Sequence, residues 1–274
     1  MKVLRFLKNN KQFTVFLLLA LAIAAIAVFA PWIAPRDPYD AVMSDSLKEP
    51  GSTYVWGTDK LGRDVLSRVI YGTRSSLTMT LCLVAVIFVV GTALGILAGY
   101  FGGAVDAVIM RIADMMTSFP GLVLAIAIAG LLGPNMVNAV IAISAVSWTK
   151  YARLARSMVL KIKQNLYIEA AVVTGTKRGS IIIKYEIPNM ITTMGVTAAT
   201  DIGTMMLELA SLSFLGFGAQ APPPEWGLML NEGRTYISKA PWLMIYPGIA
   251  IVVVVVVFNM LGDSIRDILD PKQE

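Results

Sequence analysis

Six long apolar runs organise the chain, each close to the 20 or so residues that a helix needs to cross a bilayer. They are residues 13–33, 77–101, 112–133, roughly 135–155, 190–217 and 240–262. The first, second and sixth carry no charge, the third holds Asp114, and the fifth holds Asp201 and Glu208. The fourth is free of charge only over 133–149 and borrows a turn from Lys150 and Arg153, whose long stems can carry their charges to the interface. The pattern predicts an all-α polytopic membrane protein with about six transmembrane helices. Composition agrees, with 56% hydrophobic residues, 15% charged and a mean hydropathy of +0.69.

Charge then gives orientation. With the N-terminus inside, the cytoplasmic side collects Lys2, Arg5, Lys8, Lys11, Arg111, eight cations between Lys150 and Lys184, and Arg266 and Lys272. That is 15 of the 23 basic residues. Six of the other eight lie in the long loop before the second span, and long loops weigh little in the positive-inside rule. Both termini are therefore expected in the cytoplasm. The net charge of +5 reports topology and gives no reason to expect nucleic-acid binding. The first run is too long for a signal-peptide core and Ala30-Pro31-Trp32 is a poor cleavage site, so it reads as a retained helix.

The residues available for covalent chemistry are few. Histidine is absent, which removes the commonest general base and transition-metal ligand. Cys82 is the one cysteine, expected as a buried packing thiol within the second helix. No phosphate-binding Gly-x-x-x-x-Gly-Lys-Ser/Thr loop occurs, and no catalytic triad can be assembled. If ATP powers this protein, the nucleotide chemistry belongs to another polypeptide.

Several local patterns carry more. Gly91, Gly95, Gly99 and Gly103 repeat every four residues and form a smooth ridge for close helix packing. Asp114 and Arg111, three apart near a helix end, suit an ion pair within or between helices. Pro120 and Pro247 mark kinks. In the basic interval between the fourth and fifth runs, Glu169-Ala170-Ala171 is followed four residues later by Gly175, and Ile187-Pro188 closes the segment. This reads as a short helix with one smooth face, ended by the backbone freedom of Gly175.

That acid-Ala-Ala, Gly, distant Ile-Pro pattern resembles the signature loop of ABC importer permeases, in which a coupling helix docks into a cytoplasmic ATPase. A wider set of motifs is similar to the C-type permeases of the dipeptide/oligopeptide/nickel branch. They are Gly57-Thr58-Asp59-x-x-Gly62-Arg63-Asp64-x-x-Ser67-Arg68, Met110-Arg111-x-x-Asp114, Ser213-Phe214-Leu215-Gly216-Phe217-Gly218, Pro222 to Gly227, and Phe258-Asn259 onward to Asp270-Pro271. Tyr185 stands where that family often has histidine. The resemblance implies the type I ABC importer permease fold, with residues 1–74 as the arm, first helix and outer loop, and 75–274 as the permease core carrying a coupling loop at 159–189. It implies Glu169, Ala170, Ala171, Gly175, Ile187 and Pro188 as the ATPase-coupling residues. The implied partners are a second homologous permease, two ATPase subunits holding ATP and Mg2+, and an extracytoplasmic binding protein. This chain would bind no cofactor itself and would sit in a bacterial plasma (inner) membrane. Within the branch, residues 200–207 and Ser147-Trp148-x-x-Tyr151-Ala152-Arg153 look more like the nickel subgroup; peptides are the alternative.

The fifth span adds a physical argument. Thr197, Asp201, Thr204 and Glu208 share one helical face, bordered by Met194 and Met205. Ionisable groups in a membrane cost roughly 2.5–3.5 kcal/mol each on insertion scales and usually face a cavity or a partner. They are candidates for the translocation path, where carboxylates would favour a cation or a peptide's amino end, while the alternative has Asp201 and Glu208 bonding neighbouring helices. No metal site is assigned. The loop 219–240 suits a rigid outer lid or a plain connection, and the resemblance implies that Glu225, Trp226, Asn231, Glu232 and Arg234 face the binding protein. A rival class, an ion-driven secondary carrier, would leave the coupling loop unexplained and lacks matched broken helices in two halves.

Overall fold

The computed structural model describes residues 10–269, so Lys2, Arg5, Lys8, Asp270, Pro271 and Lys272 lie outside the described residues. Helices dominate: α1 (Lys11–Ile33), α2 (Val65–Phe101), α3 (Gly103–Thr117), α4 (Gly121–Leu132), α5 (Met136–Lys163), α6 (Leu166–Val173), α7 (Arg178–Ile181), α8 (Ile187–Phe214), α9 (Trp226–Gly233) and α10 (Trp242–Leu269). By length and apolarity α1, α2 and α10 can cross a membrane. The third apolar run is more than kinked: α3 and α4 meet at 94° across Ser118-Phe119-Pro120, and would add a fourth crossing if taken together. Helices α5 and α8, 28 residues each, are long enough but more polar, as spans that present part of their surface to protein can be. The fold is an all-α polytopic membrane bundle.

Helix α2 begins at Val65, well before its apolar run. Asp64 caps it, its Oδ2 accepting from the backbone N–H and the hydroxyl of Ser67 at 2.8 and 2.7 Å. Pro247 lies inside α10 without breaking it.

The chain forms two compact units. The first holds the residues up to Cys82, Ile128–Ile141 and those from Ala199 onward. Its core gathers Val65, Val69, Met206, Trp226, Trp242, Leu243 and Val254, with α1 laid along α10. Gly203 and Gly262 let α8 and α10 approach closely, since a methyl on Gly262 would sit 2.7 Å from Thr200 Cα.

The second unit holds Leu83–Ala127 and Ala142–Ala198. Here the glycine ridge does what its spacing predicts. A Cβ on Gly91 would lie 2.5 Å from the Trp148 carbonyl oxygen and 2.6 Å from Tyr151 Cβ, and one on Gly99 2.8 Å from Val159 Cβ. Gly103 is not part of the ridge; it starts α3 at φ +52° with nothing near it. Asp114 pairs with Arg153 of α5 at 2.9 Å, so the interhelical alternative holds and Arg111 is not the partner. Arg156 of α5 binds Asp106 of α3 through two nitrogens. Cys82 is exposed, beside the exposed Leu81, Val86 and Val89, so the expectation of a buried thiol fails: a small apolar side chain suits a lipid-facing or partner-facing surface equally well.

Candidate functional site

The 164–190 segment is built as a presented helix. Asn165 leads into α6, and the far end closes on a Schellman motif: Gly175 N–H donates to Val172 O and Thr176 N–H to Ala171 O, both at 3.0 Å, with Gly175 at φ +76°. The sequence reading of Gly175 as the helix stop holds. Ile168 and Ala171 face inward, while Glu169 and Ala170 are exposed. Leu166, Val172 and Val173 are bare, at 80, 57 and 87% exposure. Two tethers fix the segment's base. The ammonium of Lys163 donates to the Tyr100 carbonyl at the end of α2 (2.9 Å), and the rings of Tyr167 and Tyr185 lie 6.2 Å apart.

Behind this helix the chain passes through a π-helical turn, Ile182–Glu186, before Ile187 and Pro188 open α8. Glu186 has no exposed surface, and neither of its carboxylate oxygens has a hydrogen-bond partner. Burial pushes its carboxyl up to about 7, against the opposing pull of Lys163. By sequence Glu186 stands with Tyr185 as a residue that could tune ATPase contact; buried as it is, its carboxylate offers a partner no surface.

On α8 the predicted stripe divides. Thr204 is exposed, Thr197 and Glu208 are half-buried, and Asp201 and Met205 are buried at 5 and 6% exposure. Asp201 and Met205 therefore face protein in this structure, as does Met194. Thr197 also bonds its own helix, donating to Thr193 O at 3.0 Å.

The third cluster lies in the first unit and corrects the expected docking face. Glu225 and Trp226 are buried at 3 and 2% exposure. Glu225 caps α9, accepting from Gly227 N–H (2.9 Å) and Leu228 N–H (2.8 Å), while the Ser76 hydroxyl donates to it at 3.2 Å. Burial still raises its carboxyl above the usual range. The Trp226 indole N–H donates to Val69 O at 3.0 Å, and its ring fills the space left by Gly72. Asn231 donates to Phe214 O at 2.5 Å. Glu232 receives Lys60 (3.3 Å), Arg63 (3.2 Å) and Arg68 (3.4 Å); Asp59 receives Arg63 at 2.6 Å and Arg68 at 3.5 Å. The Gly-Thr-Asp-x-x-Gly-Arg-Asp-x-x-Ser-Arg element is thus a buried ionic clasp that seats α9, and of the five expected contact residues only Arg234 is fully exposed. The three prolines before α9 suggested a surface lid; what they lead into is a helix anchored by its side chains.

Residues 91–274 match the family described as binding-protein-dependent transport system inner membrane component, and residues 2–50 match the N-terminal transmembrane domain of oligopeptide transport permease C. The chain belongs to the C-type permeases of the peptide/nickel ABC importer family. Among its relatives, the dipeptide transport system permease protein DppC of Alkalihalophilus pseudofirmus is 43% identical across 98% of this chain and 88% of its own length. The glutathione transport system permease protein GsiD of Pectobacterium atrosepticum is 43% identical across 98 and 89%. A probable D,D-dipeptide permease, DdpC of Escherichia coli, is 42% identical across 89 and 82%. The fold of this permease is that of an inward-facing methionine ABC transporter, MetNI, at a TM-score of 0.59 and 19% identity, covering 74% of this chain and 96% of that one. Membership makes the permease a multi-pass inner-membrane transport component and sets aside the secondary-carrier class. The nickel leaning finds no support among these relatives, whose names point to dipeptides and glutathione.

Proposed function

We propose that this chain is half of the translocation pathway of an ATP-driven importer of short peptides. The observation that carries the reading is the bare apolar surface of Leu166, Val172 and Val173 on a helix fixed at both ends. Three exposed aliphatic side chains beside Glu169 and Ala170 form a knob suited to a groove on an ATPase. The ATPase subunits carry ATP and Mg2+, and this chain binds no cofactor. Their closure presses on α6 and, through Ile187 and Pro188, on α8, whose Thr204 and Glu208 line the path. Both termini are cytoplasmic, a homologous permease completes the channel as a heterodimer, and a binding protein delivers peptide from outside. Peptide as cargo is supported by the dipeptide and glutathione permeases to which the chain is similar.

The test is ATP-dependent uptake of a radiolabelled dipeptide into proteoliposomes of the complex purified through this chain, with its binding protein, beside Gly175→Asp. Uptake in the wild type and its loss in the variant, with the complex still assembled, is the expected result. Uptake that needs no ATPase and ignores Gly175→Asp would overturn the coupling assignment. An active complex that carries no dipeptide would overturn the cargo.

A further inference from the structure

A cavity of about 460 Å³ lies in the first unit, walled by the start of α2, the N-terminus of α5 and the segment before α9. Its volume falls in the range of small-ligand sites, roughly 300–1,000 Å³. Of the residues that line it only Arg74 and Glu225 carry charge, and they are not equivalent. Glu225 is 3% exposed and both its oxygens are occupied, one by Gly227 N–H and Ser76, the other by Leu228 N–H. Its charge is spent on the α9 terminus, and burial draws it toward the neutral form. Arg74 is exposed and makes no hydrogen bond or ion pair among the described residues. All five guanidinium N–H groups are available to a ligand. Around it stand Ser75, Thr78 and Asn135. The Asn135 carboxamide oxygen accepts from Val137 N–H at 2.8 Å, which leaves its NH2 as a further donor. The cavity also meets the N-terminal end of the 28-residue α5, whose dipole adds positive potential there. The walls are therefore mostly apolar, from Met79, Met136, Ala219 and Pro223, with one free cation among the described residues and a few donors grouped at Arg74, and fit an anion with two planar acceptor oxygens carried on a partly apolar body.

We propose that this cavity is a subsite for the terminal carboxylate of the peptide in transit, with Arg74 as the residue that binds it. The inference rests on the peptide reading above, because a short peptide brings one such carboxylate whatever its side chains. It concerns the opposite end of the peptide from the α8 carboxylates, which the sequence offered to a cation or an amino end: the free charge at this cavity is positive.

The experiment uses the full complex with its binding protein in proteoliposomes, comparing wild type, Arg74→Gln and Arg74→Lys. Each offers a radiolabelled dipeptide or its C-terminal amide, preloaded on the binding protein, and assembly of each variant is checked by size-exclusion chromatography. Losing one charge-assisted pair is expected to lower dipeptide uptake about 10- to 100-fold in Arg74→Gln. Arg74→Lys, which keeps the charge without the planar fork, should recover part of it. Wild type should prefer the dipeptide over its amide by about tenfold or more, and Arg74→Gln should lose that preference. Uptake in Arg74→Gln equal to wild type, no preference in wild type, or equal loss in Arg74→Lys would each overturn the subsite. If assembled wild type hydrolyses ATP yet carries no dipeptide, the failure falls on the peptide reading instead.

Discussion

Asp59, Arg63 and Arg68, with the half-buried Glu232, in the first unit and Glu186 in the second are ionisable groups drawn out of water, and the protein treats them in opposite ways. In the clasp every charge has a counter-charge, with Arg68 at 1% exposure reaching both carboxylates and Pro38 O. Among the described residues Glu186 has neither a donor nor a direct ion pair, and Lys163, the cation whose charge acts on it, spends its ammonium on backbone carbonyls at the end of α2. A closed network fixes one geometry, because breaking it leaves charge buried and unpaired. An orphaned carboxylate fixes nothing and stores instability. The segment that holds α9 is built for one position; the segment behind the coupling helix is built to be less stable than it could be.

The comparison breaks most severely at Arg68. Arg68→Ala leaves Asp59 and Glu232 short of a partner and should cost about 3–5 kcal/mol, seen as a large fall in the thermal unfolding temperature of the purified complex or as failure to accumulate. A loss under 1 kcal/mol would mean that the clasp is slack.

Glu186 sharpens the other side. Its folded value of about 7 lies above the ordinary 4.5, so between the two the folded state holds a proton that the unfolded chain has released. Stability should fall as pH rises from about 4.5 through about 7 and level off above, by about 3 kcal/mol in all. Glu186→Gln should flatten that profile and raise stability at pH 8; hydrogen exchange of residues 178–195 against pH would show it. An unchanged slope in the variant would place the titration elsewhere.

The glycine ridge tests packing without charge. Gly91→Ala drives a methyl against the Trp148 carbonyl oxygen and Tyr151 Cβ, which should cost about 1–3 kcal/mol. The smallest effect belongs to Gly175→Ala. Space is open there and only the left-handed backbone resists, so the stability cost should be about 1–2 kcal/mol, while peptide carried per ATP hydrolysed falls further than that cost explains.

What the sequence disclosed and concealed divides along physical lines. The end of α6 at Gly175 and the ridge at Gly91 and Gly99 are local or periodic features, legible from spacing alone. The partners of Glu232 and Trp226 are not: Arg63 and Val69 stand more than 150 positions away, and nothing local distinguishes a buried Glu-Trp pair from a solvated one. Asp114 shows the same limit, since helical spacing ranks Arg111 first and tertiary packing supplies Arg153. The period puts the α8 stripe on one face of a helix, but period says nothing of which part of that face meets protein, and Asp201 and Met205 are buried while Thr204 is exposed. Arg74 stood in plain view as one of several loop cations; only the cavity beside it gives it a role.

The break at Ser118-Phe119-Pro120 has a consequence for the bilayer itself. At 1.5 Å per residue the 12 residues of α4 rise about 18 Å, far short of a hydrocarbon core about 30 Å thick. Leu131, 90% exposed near its end, and Phe119, 60% exposed before its start, mark the limits of that short apolar rod. A rod of that length cannot span the core by itself, so any crossing made here is shared with α3 across the 94° bend, and the apolar length that this part of the permease offers a bilayer is set by the bend and not by either helix alone.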